Sequence, residues 1–154
     1  MALHHRLIGK AARLWWRIRR PRTLGVRVLV VDGRERIALV RHTYTDAWYL
    51  PGGGVKKGES FETAGLRELR EEVGIAEAAI ERVLGIYHSR TEGKDDHVVV
   101  YVMRVGGAEL RRADAMEIEE VGWFAPDAMP EGVSPATLRR IGEYRAGSVG
   151  RGNW

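Results

Sequence analysis

No cysteine occurs anywhere in the 154 residues. Disulfides are therefore excluded, no soft thiolate site for a metal is on offer, and an intracellular, cytoplasmic setting is expected. No apolar run is long enough to span a membrane. The N-terminus lacks the uninterrupted apolar stretch of a secretory signal. There is no internal repeat and no low-complexity tract. What remains is 44% hydrophobic and 30% charged, the composition of a soluble globular protein with room for one core. The net charge of +4 is modest but unevenly spread.

Residues 1–21 hold six of the 25 basic residues and no acidic one. Leu3, Leu7, Ala11, Leu14, Trp15 and Ile18 fall on one helical face, while Arg6, Lys10, Arg13, Arg17 and Arg20 recur at steps of four and three. This predicts a basic amphipathic helix ended by Pro21. Such a helix packs its apolar face on the domain or a second subunit, or lies on an anionic membrane or a nucleic acid. The first of these is the favoured expectation. A main domain over 22–146 and a loose tail over 147–154 complete the expected layout.

Beyond Pro21, Thr23 to Val31 is rich in valine and predicts a strand. Asp32-Gly33 is a turn signal, and Arg36 to Arg41 predicts the returning strand of a hairpin. Ile80 to Arg90 and His97 to Val105 read as two more strands around the charged turn Thr91 to Asp96. Ala108 to Met116 reads as a loop, and Glu117 to Phe124 as a further strand. Ser134-Pro135 opens a last helix, with serine as N-cap and proline at the first helical position. His88 and His97 flank the charged turn and are read as satisfied polar residues, not as catalytic groups.

The most informative stretch runs from Gly52 to Ile75. It starts as a glycine-rich turn after Pro51 and continues as a helix expected over Ser60 to Val73, with Ser60 as N-cap and Gly74 as C-cap. Phe61, Ala64, Leu69 and Val73 form its apolar stripe. Glu68, Glu71 and Glu72 stand three and four residues apart, so they are surface neighbours that repel one another unless a cation sits among them. An oxygen-only cluster suits a hard divalent cation such as Mg²⁺ or Mn²⁺.

The spacing Gly53-x5-Glu59-x7-Arg67-Glu68-Leu69-x-Glu71-Glu72-x-Gly74-Ile75 resembles the Nudix box at every fixed position. The resemblance implies an α/β fold, an α/β/α sandwich on a mixed sheet, covering about Thr23 to Tyr144. It implies Mg²⁺- or Mn²⁺-dependent hydrolysis of a nucleoside diphosphate linked to another moiety. By the same resemblance, Glu68, Glu71 and Glu72 are the metal-binding carboxylates, joined by a backbone carbonyl of Gly52 or Gly53. Arg67 and Glu59 pair to hold loop and helix together, and Glu59 is also a candidate metal contact. Glu68 is a candidate general base, and Glu117, at the start of its strand, is a candidate for a further base or metal ligand, with a solvated edge charge the competing reading. Arg41 is a candidate phosphate contact or a surface arginine. Tyr44 and Trp48 are candidates for stacking on a base, with core packing the competing reading for Trp48.

The features that divide this family by substrate are missing here. No proline lies between Val55 and Ala125, and Thr91 to Gly93 stand where dinucleoside polyphosphate hydrolases tend to carry a tyrosine. The coenzyme A and NADH patterns are absent as well. The expected substrate is a nucleoside di- or triphosphate, or a nucleotide joined through pyrophosphate to a small group. Removal of the 5′ pyrophosphate of RNA, and a non-catalytic nucleotide-sensing or nucleic-acid-binding module, are the alternatives. A homodimer is a further expectation from the resemblance.

Overall fold

A computed structural model describes residues 22–90 and 95–154. The expected amphipathic helix of residues 1–20 and most of the charged turn lie outside the described residues. Eight strands form one mixed sheet: β1 (Arg22–Val31), β2 (Ile37–His42), β3 (Trp48–Tyr49), β4 (Gly52–Gly54), β5 (Ala79–Ser89), β6 (Asp95–Arg104), β7 (Ile118–Phe124) and β8 (Gly150–Asn153). The order is β3-β2-β1-β6-β5-β8, with β4 added to β1 and β7 to β2. Among the described residues two α-helices accompany the sheet, α1 (Phe61–Glu68) and α2 (Pro135–Arg145). Among the described residues no helix is long and apolar enough to cross a membrane.

Strand alternation explains the two-layered core. On β1, Val26, Val28 and Val30 face α1 with Val99, Tyr101 and Met103 of β6. Leu29 and Val31 face the other way, against Leu84, Tyr87, Val100, Val102 and Ile141 of α2. Burial of these aliphatic side chains is the main stabilising term. Helix α1 sits close because Gly65 faces the sheet: a Cβ there would lie 3.1 Å from Met103 Cε and 3.2 Å from Val28 Cγ2.

Three expectations are revised. Strands β1 and β2 are joined by the turn at Asp32, whose Oδ1 accepts from the amides of Arg34 and Arg36 at 2.9 and 2.8 Å. However, their pairing is confined to Val31 opposite Ile37. Beyond it β1 pairs in parallel with β6 over ten residues, and β2 pairs with β7, because long β6 and β7 offer more ladder than a short hairpin does. The helix expected over Ser60 to Val73 begins as foreseen, with Ser60 Oγ accepting from Thr63 N at 3.0 Å. It then widens into a π turn at Leu69–Val73, closed by Gly74 at φ +74°. The C-terminal residues are not a loose tail. Gly150–Asn153 pair in parallel with β5, and Trp154 packs edge-on to Tyr87 with ring centres 5.8 Å apart. Buried Arg140 lies against both rings, 3.8 Å from the Tyr87 ring centre and 5.4 Å from that of Trp154, and its Nη2 donates to Glu143 at 3.0 Å.

Candidate active site

The glycine turn is set by one backbone requirement. Gly52 has φ +145°, and a Cβ there would lie 2.1 Å from the Val26 carbonyl oxygen. Only glycine allows β4 to pair with β1 at Val26 and Arg27. That pairing brings the turn against the end of α1. There the Gly52 amide donates to Glu72 Oε2 at 2.8 Å, and the Glu68 carboxylate lies against Gly53.

Arg67 ties loop and helix together. Its Nε and Nη2 donate to the two oxygens of Glu59 at 2.7 and 3.0 Å, and Nη2 also reaches the Gly54 carbonyl at 2.9 Å. Its Nη1 donates to Glu68 Oε1 at 2.7 Å and Glu71 Oε2 at 3.0 Å. This two-pronged pairing, with the Lys56 amide as a second donor, pushes the Glu59 carboxyl down to about 2. Burial pushes Glu68 the other way, above the ordinary carboxylate range, against the pull of Arg67.

These shifts give a test by pH. Glu59 has a folded pKa of about 2 against an ordinary 4.5. Its contribution to stability is therefore complete above 4.5 and is lost as pH falls towards 2. In Arg67→Ala the acid side of the stability profile should flatten across that window, and kcat/KM should fall about a hundredfold as the loop loses its anchor. Urea midpoints measured from pH 5 to pH 2.5 check the first part. An equal slope in both proteins would refute it.

A cavity of about 470 Å³ opens over this arrangement. The carboxylates of Glu68, Glu71, Glu72 and Glu117 line it, with Arg27, Lys56, His42, Tyr44 and the glycine turn. Glu68, Glu71, Glu72 and Glu117 also line a second cavity of about 340 Å³, shared with Asp114. Asp114 Oδ1 accepts from the amides of Met116 and Glu117 at 2.9 and 3.3 Å and so sets the turn that presents Glu117. Four acids around one space, balanced mainly by Arg67, fit a hard divalent cation with free carboxylate lone pairs for ligands.

The structure sorts the sequence candidates. Glu68, Glu71, Glu72, Glu117, Gly52, Gly53, Arg67 and Tyr44 share the cavity wall. Glu59 stands behind Arg67 with both oxygens engaged by it. The Gly52 carbonyl accepts from Arg27 Nη1 at 2.9 Å. Trp48 is not a base-stacking platform: it is buried, edge-on to Phe124 with centres 5.1 Å apart. Nor does Arg41 reach the cavity. Its Nη2 is 2.5 Å from Glu120 Oε2 and its guanidinium lies 5.6 Å from the Trp48 ring centre. The reason is strand alternation, which turns Arg41 and its neighbour His42 to opposite faces.

His42 is the residue the sequence did not single out. It is 5% exposed, and its Nε2 lies 2.9 Å from Glu72 Oε1. The ring is held between Tyr44, stacked at 5.1 Å, and Tyr49 at 6.1 Å. Ligand atoms of His42, Glu72 and Glu117 all lie within 4.8 Å of one another. Arg27 was missed too; the sequence shows each only as a polar residue beside the valine- and leucine-rich part of its strand.

Known proteins resemble this chain in sequence and in fold. A family profile described as NUDIX domain matches residues 21–142. A Bacillus subtilis protein named "Putative 8-oxo-dGTP diphosphatase" is 32% identical over 126 residues, 82% of each chain. An ADP-ribose pyrophosphatase of Methanocaldococcus jannaschii is 29% identical over 107 residues, 66% of this chain and 62% of its own. Among solved structures, a MutT NUDIX hydrolase from Burkholderia pseudomallei superposes with a TM-score of 0.66 at 29% identity, over 80% of this chain and 98% of that one. With its box complete, its acids gathered on one cavity and its fold shared over most of its length, the chain belongs to the Nudix hydrolase family.

Proposed function

We propose that this hydrolase uses Mg²⁺ or Mn²⁺ to cleave a pyrophosphate linkage in a nucleoside di- or triphosphate, or in a nucleoside diphosphate joined to another moiety. The observation that carries the reading is the convergence of Glu68, Glu71, Glu72 and Glu117 on one cavity that also presents Arg27 and Lys56. Those four carboxylates would hold the metal, which when bound supplies charge neutralisation for the phosphate and acidity for a water.

The chain's own groups do the rest. Arg27 and Lys56 face the phosphates from the glycine side of the cavity. Arg67 keeps Glu68 and Glu71 in register with the loop. Glu68, oriented by Arg67 Nη1 at 2.7 Å from its Oε1, is the first candidate to accept a proton from the attacking water, and Glu117 is the second. The water oxygen bonds to phosphorus, and the bond to the bridging oxygen breaks to release the other phosphate. Tyr44, 74% exposed at the cavity rim, offers a face for the base.

A substrate panel with each metal tests this: nucleoside triphosphates including 8-oxo-dGTP, ADP-ribose, a nucleotide sugar and a 5′-triphosphorylated RNA. We expect metal-dependent phosphate release, after phosphatase coupling, from at least one nucleoside di- or triphosphate or nucleotide conjugate. No release from any of them would overturn the proposal. Preference for the RNA, lost on removing Met1 to Arg20, would replace it with the RNA reading. That alternative draws on an RNA pyrophosphohydrolase of Hahella chejuensis, 40% identical over 60 residues, 39% of this chain and 37% of its own.

A further inference from the structure

We infer that His42 supplies a nitrogen ligand to the cation held by Glu72 and Glu117, so that this site takes Mn²⁺ in preference to Mg²⁺. The inference rests on the metal-dependent reading above and names a ligand that the box itself does not contain.

Three observations carry it. The first is distance. Two ligand atoms at right angles on one cation, each about 2.1 Å from it, lie roughly 3 Å apart. His42 Nε2 and Glu72 Oε1 are 2.9 Å apart, and Glu117 brings a carboxylate oxygen within 4.8 Å of both. The second is preorganisation. The ring is 5% exposed, stacked on Tyr44 and flanked by Tyr49, so its orientation is fixed before any ion arrives. Glu72 is fixed in the same way, because its other oxygen accepts from the Gly52 amide at 2.8 Å. The third is placement: His42, Glu72 and Glu117 all line the same cavity, which gives an ion and its remaining waters a way in.

With the ring proton on Nδ1, Nε2 presents a lone pair. Imidazole nitrogen suits the later divalent metals, whereas Mg²⁺ keeps to oxygen. A neutral nitrogen in the place of one bound water therefore shifts preference from Mg²⁺ towards Mn²⁺ without changing the charge of the acid cluster. The competing reading is that His42 only hydrogen-bonds Glu72 and orients it.

Electron spin-echo spectroscopy of the full chain loaded with Mn²⁺ separates the two. We expect ¹⁴N modulation from a directly bound imidazole in the native protein, changed to the ¹⁵N pattern when the protein is grown on ¹⁵N-labelled histidine. The modulation should vanish in His42→Gln and persist in His88→Gln. Because the isotope arm needs no substitution, it stands even if His42→Gln folds poorly. Mn²⁺ affinity, read from the free-ion EPR signal, should fall about tenfold in His42→Gln, while Mg²⁺ affinity, read by competition, changes less than about twofold. Bound Mn²⁺ without ¹⁴N modulation, or with modulation that survives His42→Gln, would overturn the inference and leave the hydrolase reading intact. Failure to bind Mn²⁺ at all would overturn both.

Discussion

Replacing Glu72 by glutamine is expected to lower metal-dependent turnover by about a thousandfold or more, a barrier increase of roughly 4 kcal/mol. The fold should survive. Glu72 is 5% exposed, with one oxygen beside His42 Nε2 and the other on the Gly52 amide. Glutamine is nearly isosteric: its carbonyl oxygen can keep the Gly52 bond and its amide group can face His42. The structural cost is then one altered hydrogen bond, about 1 kcal/mol. The negative charge is what disappears, and with it a ligand at the centre of the acid cluster. Steady-state kinetics at saturating Mg²⁺ or Mn²⁺, with a thermal melt on the same sample, check both halves. Turnover within tenfold of native would remove Glu72 from the machinery.

The second large effect lies in the backbone. Gly52→Ala should destabilise the protein by roughly 3–5 kcal/mol, because a Cβ would sit 2.1 Å from the Val26 carbonyl oxygen at a φ of +145°. In a chain of this length that shifts the melting temperature by roughly 10 °C. Relief of the clash requires β4 to move off β1, which withdraws the amide that holds Glu72. Activity measured well below the melting temperature should therefore fall as well. A variant that melts within 2 °C of the native protein, as a round threshold, would show that the turn tolerates a side chain.

The two substitutions fail for opposite reasons. Glu72→Gln keeps the architecture and removes the charge, whereas Gly52→Ala keeps every charge and displaces the scaffold. Comparing them separates what the carboxylates contribute from what their placement contributes.

The legible part of this molecule is the part encoded locally. Glycines after Pro51, the Ser60 cap and acids three and four apart can all be read within one short stretch, and that stretch carries most of the site. Glu117 was also legible, as an acid at the start of a strand. The illegible parts depend on distant partners. His42 and Glu72 are 30 residues apart in sequence, and nothing in the local pattern of β2 favours His42 over Arg41. The choice follows from which face of β2 meets α1, and that is settled by pairing with β7 and β1 together. Similarly, the valine-rich β1 looked like half of a hairpin, but its long partner is β6, more than sixty positions away by register. The π turn at Leu69–Val73 was hidden because its residues suit an α-helix equally well, and the wider turn is closed by Gly74 and by the Ile75 amide on the Leu69 carbonyl at 3.1 Å.

The parallel pairing of Gly150–Asn153 with β5 covers a sheet edge whose amides and carbonyls would otherwise face outward. An open ladder of that kind recruits other chains. Trimming the last residues would therefore announce itself first as self-association, while the acid-lined chemistry at the far side of the sheet went on unimpaired.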